Sequence, residues 1–163
     1  MNPTPSERTG LIEMLDWYRE AVRRKVVGLT DAESRRVVSP TGVTILGLVR
    51  HLTEVEHWWW RGIFTAETTA WRFCTDDDPD RDWHVNDDDT LSEAIAAYVH
   101  GAALGNSIAA SADLDDLSAG PTSVFDGRHV NLRWIFLHLI EETARHAGHL
   151  DMLRELTDGA VGD

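Results

Sequence analysis

His138, Glu142, His146 and His149 follow one another at steps of four, four and three residues, so a helix carries all four along one side. Imidazole and carboxylate are ligands suited to zinc, nickel or iron. An apolar stripe shares this stretch: Leu132, Ile135, Leu139, Thr143, His146, Leu150 and Leu153 mark the inner face of one amphipathic helix. His51 lies at the edge of a second stripe, beside Leu48 and Val55. A facing helix would bring His51 opposite Glu142 and His146. Three ligands from two helices, with a fourth position open, is the pattern of a catalytic zinc site. A polar helix edge whose histidines hydrogen-bond to their neighbours has the same spacing, and the residues alone leave both readings open.

Other chemistries fit less well. A ferritin-like di-iron site needs Glu-x-x-His on two helices. Glu54 and His57 supply one such pair, but Arg145 stands three residues after Glu142. The His-Glu-x-x-His of zincins is absent, as are Gly-x-Ser-x-Gly, Gly-x-Gly-x-x-Gly and the phosphate-loop pattern. Cys74 sits among carboxylates that discourage a thiolate. His84, His100 and His129 read as loop or face residues without polar companions. Successive helical residues lie about 100° apart, so Trp58, Trp59 and Trp60 cannot all face one way. Trp59 is expected in the core and Trp58 in the wall of a pocket near His51. Trp60 is expected under a loop or at a homodimer contact.

Four helices are needed to position these residues. The first is expected from about Ser6 to Val27, with Leu11, Leu15, Tyr18, Val22 and Val26 inward. Thr30-Asp31-Ala32-Glu33 reads as a capping box on a short helical turn. The second runs from Thr44 to about Phe64 on Ile45, Leu48, Val49, Leu52, Val55 and Trp59. Thr90-Leu91-Ser92-Glu93 opens the third, which runs to about Ala110 and is rich in small residues. The fourth runs from about Leu132 to Leu156. Between the second and third lies a long surface loop, too polar for a core, that Trp71 and Trp83 would anchor. The fold class expected is an all-α four-helix bundle, as one domain over residues 1–163.

Composition narrows the function classes. The 163 residues carry a net charge of −13, and positions 76 to 89 hold eight Asp and one Arg. No basic stripe is available for phosphates, which argues against nucleic acid as a partner. No apolar run approaches the roughly 20 residues that span a membrane. One cysteine permits neither an intramolecular disulfide nor a Cys-rich zinc module. That usage, with an N-terminus unlike a signal peptide, leads to the expectation of a cytoplasmic protein. Fourteen of the 15 basic residues are arginine, which suggests GC-rich codon usage.

Two segments carry a resemblance. Leu48-Val49-Arg50-His51-Leu52-Thr53-Glu54-Val55-Glu56 and Ile140-Glu141-Glu142-Thr143-Ala144-Arg145-His146-Ala147-Gly148-His149 resemble the ligand segments of the DinB-like superfamily of metal-binding four-helix bundles. More narrowly, the second is similar to the actinobacterial subgroup of mini-circle-type proteins and the N-terminal domain of mycothiol-dependent maleylpyruvate isomerase. The resemblance implies His51, Glu142 and His146 as ligands of a divalent metal, zinc ahead of nickel or iron. His149 would orient a ligand or water. It also implies mycothiol as the thiol and a small-molecule electrophile as its partner. The isomerase carries a second domain beyond the bundle, so the expected activity is a zinc-dependent mycothiol S-transferase rather than isomerisation. A non-catalytic metal-binding stress or dimerisation module and a metal-dependent hydrolase are the alternatives.

Overall fold

Ser6, Thr30, Thr44, Thr90 and Asn131 each stand one residue before a helix and turn a side-chain oxygen onto a backbone N–H of its first turn. These oxygens satisfy donors that every helix start leaves unpaired. In the computed structural model, which describes residues 3–68 and 71–161, they open five α-helices. These are α1 (Glu7–Val26), α2 (Asp31–Ser34), α3 (Ile45–His57), α4 (Leu91–Ala110) and α5 (Leu132–Asp158). Thr30 and Glu33 form the reciprocal capping box. Gly159, at φ +80°, closes α5 in the left-handed conformation that suits glycine. No strand forms among the described residues, where β pairing is confined to two isolated bridges. The chain is an all-α bundle in which α1 packs along α5, α3 packs along α4, and α3 also meets α5.

The second long helix departs from expectation at its end. Trp58–Phe64 is π-helical, and the Thr65 N–H reaches back to the Trp60 carbonyl at 3.2 Å. The wider turn gives the three consecutive indoles separate places. Trp58 points outward and stacks on Trp71, with ring centroids 4.9 Å apart. Trp59 is core, as expected. Trp60 lies neither under the loop nor at an outer surface: it is 1% exposed, and its Nε1 donates to Glu56 Oε2 at 2.7 Å.

Two apolar clusters fill the bundle. One gathers Val22, Val26, Leu48, Leu52, Tyr98 and Leu150, and the other Leu15, Trp60, Phe136 and Leu139. A polar belt separates them along the helices. It holds Arg19 from α1, Glu56 from α3, and Glu142, Thr143 and His146 from α5, all buried. Close approach at this level depends on Gly105 of α4. A Cβ there would collide with the Trp60 indole, which is held by its bond to Glu56. Gly105→Ala is therefore expected to cost about 1–3 kcal/mol through overpacking, despite the gain in helix propensity. Urea denaturation checks it, and an unchanged midpoint would show that the indole can move aside.

The acidic segment before α4 is only partly the solvated loop expected. Cys74 and Asp82 within it are buried. Glu54, buried in α3, accepts the backbone N–H groups of Phe73 and Cys74. Arg50, also buried in α3, binds the Asp89 carboxylate at 2.5 Å and the Arg81 carbonyl at 3.1 Å. Charged side chains of α3 thus tie the segment down through its backbone and through Asp89, interactions that the composition of the segment does not reveal.

Candidate metal centre

The amphipathic pattern of α5 buries Glu142 and His146 one turn apart, and α3 presents His51 to them. His146 Nε2 lies 3.0 Å from Glu142 Oε1, and His51 Nε2 lies 3.4 Å from the same oxygen. One donor atom from each of the three residues falls within 4.8 Å of the others. Two ligands about 2.1 Å from a tetrahedral ion stand roughly 3.4 Å apart, so the distances of both imidazoles from Glu142 Oε1 suit one small divalent cation. The donor set, two imidazoles and a carboxylate, is that of open catalytic zinc sites.

The surrounding charges favour a cation as well. His51 Nδ1 bonds to the buried Asp82 carboxylate at 2.8 Å, which aims Nε2 at Glu142. Burial works against a charge on His51, but hydrogen bonds to Asp82 and Glu142 outweigh it and raise its pKa. Hydrogen bonds from His146, then His51, hold the Glu142 carboxyl far below the usual carboxylate range. Arg145 holds the second oxygen of Glu142 at 2.5 Å. A metal ion held by the three residues would face the same Glu142 carboxylate that the two imidazoles now face.

Asp82 was not legible as part of the site, being one of eight Asp in its stretch. Trp83 beside it, rather than Trp58, walls the site, stacking on His51 with centroids 4.2 Å apart and planes at 26°. A trace of this placement exists in the sequence. Gly47 stands one turn before His51 where the Trp83 backbone crosses α3, and a Cβ there would sit 3.3 Å from the Trp83 carbonyl oxygen. Since partners that orient a metal-bound histidine contribute about 10–100-fold to metal affinity, Asp82→Ala is expected to weaken metal binding by that factor while leaving the helical circular dichroism intact. A metal affinity equal to that of the unaltered protein would reduce Asp82 to a structural contact.

The remaining histidines divide clearly. His149 Nδ1 lies 3.2 Å from His146 Nδ1, behind the ring and away from the donor cluster, where it orients His146. His138, one turn before Glu142, is held instead between Trp134 and Trp59, stacked on the first at 5.1 Å and edge-on to the second at 4.7 Å. Contrary to expectation, His84 and His129 have polar companions, the Asp78 carboxylate at 3.0 Å and the Ser118 carbonyl at 2.6 Å. His100 is exposed on α4. Burial pushes the Cys74 thiol up to about 12, so it is no nucleophile at neutral pH.

Among solved structures, a conserved protein from Enterococcus faecalis superposes with a TM-score of 0.66 at 17% identity, over 96% of this chain and 100% of that one. That likeness concerns the fold. No curated protein sequence matches significantly. A family model described as mycothiol S-transferase matches residues 10–159, a span that takes in all but the first three residues of α1, the other three long helices, and His51, Asp82, Glu142 and His146. By that match the chain belongs to the mycothiol S-transferase family, a DinB-like family.

Proposed function

We propose that this is a single-domain, metal-dependent transferase of the actinobacterial type, joining the sulfur of mycothiol to a small electrophile. His51, Glu142 and His146 hold one divalent ion, zinc ahead of nickel or iron. The convergence of two imidazole nitrogens on Glu142 Oε1, at 3.0 and 3.4 Å, carries this reading together with the family. A divalent metal bound there supplies Lewis acidity that keeps a thiol deprotonated near neutral pH. The chain's own part is positional. Asp82 fixes the tautomer of His51, His149 orients His146, Arg145 steadies Glu142, and Trp83 covers one face of His51.

Cobalt substitution tests the proposal. Mycothiol added to the cobalt protein should produce a sulfur-to-metal charge-transfer band. An alcohol of the same shape should not, and the band should vanish with a chelator or in His146→Ala. No thiol-dependent change at saturating mycothiol would overturn the transferase reading. Hydrolysis without added thiol would then favour a hydrolase, and metal binding without turnover a non-catalytic module.

A further inference from the structure

A second cavity, of about 380 Å³, opens between α3 and α4 and shares no residue with the metal centre. Its volume is within the range of small-molecule sites. Thr53 and His57 of α3 and Arg61 of the π-helical turn line one side at four-residue steps. Ala96, Ala97 and Gly101 of α4 line the other, and their small size leaves the space open. Thr53 is two residues from His51, about 200° around the helix, so the cavity faces away from the metal centre.

Nitrogen donors predominate in the lining of this cavity. Arg61, Arg72, His57 and His100 are set against one carboxylate, Glu93, which takes the hydroxyl of Thr90 at the start of α4. Arg61 uses Nε and Nη2 on Glu67 and keeps further N–H donors. Arg72 makes its described contact with the face of Phe73 rather than with a carboxylate. It is exposed, yet both its neighbours in sequence are anchored. Trp71 stacks on Trp58, and the Phe73 N–H is bound by the buried Glu54. The guanidinium is thereby kept at the rim. Guanidinium and imidazole groups converging on a small cavity suit an oxyanion, while Ala96, Ala97 and Leu104 offer an apolar floor.

We propose that this cavity binds a small organic oxyanion, a phosphate ester or a carboxylate, through Arg61, Arg72, His57 and His100. The site is independent of the thiol chemistry and stands or falls separately from it. Proton NMR of the imidazole Cε1–H signals in the metal-loaded protein tests it, with inorganic phosphate and succinate as separate probes. His57 and His100 should shift saturably, and His84 and His129 should not. Sodium chloride at matched ionic strength should fail to reproduce the shifts. Saturation by phosphate alone would assign a phosphate ligand, and by succinate alone a carboxylate. Arg72→Gln should weaken binding on the order of tenfold, as loss of one charge-assisted contact does. Gly101→Leu should abolish it by filling the space. A Cβ at Gly101 meets only Glu56 Cβ at 3.8 Å, so the helix accepts the substitution. Shifts no larger than those from chloride, or unchanged affinity in both variants, would overturn the proposal.

Discussion

Alanine at His51, Glu142 or His146 should lower zinc affinity by more than about a hundredfold, beyond what loss of an orienting partner costs. Each removes one of three converging donors, and each leaves a charge imbalance. Without Glu142, His51 and His146 lose the carboxylate that both face. Without His51, Asp82 and Glu142 lose the imidazole between them. Competition against a chromophoric chelator measures the effect, with His84→Ala and His129→Ala as controls. Equal affinity in all five variants would refute the assignment, and loss in the triad alone would establish it. Circular dichroism of the metal-free variants separates lost ligation from lost folding.

Glu56→Ala should be the most destabilising single change in the polar belt, at about 3–5 kcal/mol. Arg19 donates to Glu56 twice, Nε to Oε1 at 2.6 Å and Nη2 to Oε2 at 2.7 Å. The two residues are 4% and 1% exposed, so water cannot replace the lost carboxylate. Asp16 and Asn106 would still accept from Arg19, each at 2.8 Å, but the Trp60 indole N–H would be orphaned. Against a typical total stability of about 5–15 kcal/mol, such a loss threatens folding outright. The paired replacement Arg19→Met with Glu56→Leu removes both charges and should recover most of the loss, because an apolar pair avoids desolvation. Urea denaturation distinguishes the two cases. A double variant as unstable as Glu56→Ala would mean that shape rather than charge sets the cost.

The belt also has a bearing on the metal centre. Glu142 and His146 lie between the same two apolar clusters as Arg19 and Glu56. Fixing this layer fixes the level at which α3 meets α5, and hence the height of His51 relative to Glu142. Tight packing around Trp60 and Gly105 contributes to the same registration.

Local periodicity alone determined the four long helices, apart from the π-helical end of the second, and the inward face that carries His146. Hydrogen bonding between residues four apart and the amphipathic stripe are short-range properties, readable from Leu139, Thr143 and Leu150 around Glu142 and His146. The short reach of the same rules explains what was left open, as with His51 and Glu142, and what was missed, as with Asp82. The pairing of His51 with Glu142 spans 91 residues, and that of His51 with Asp82 spans 31. Helical spacing proposes such partners but cannot decide between them, because the packing of α3 on α5 and the path of the loop set the distance. Asp82 was selected from among eight similar residues only when Glu54 and Arg50 pinned the acidic segment to α3. Trp83 took the place expected of Trp58 because the turn widens at Trp58 and sends that indole outward to Trp71. His51, Glu142 and His146 could be singled out as candidates in one dimension; the carboxylate and indole that hold His51 in place were decided by the tertiary structure, where charge and shape are matched across distant parts of the chain.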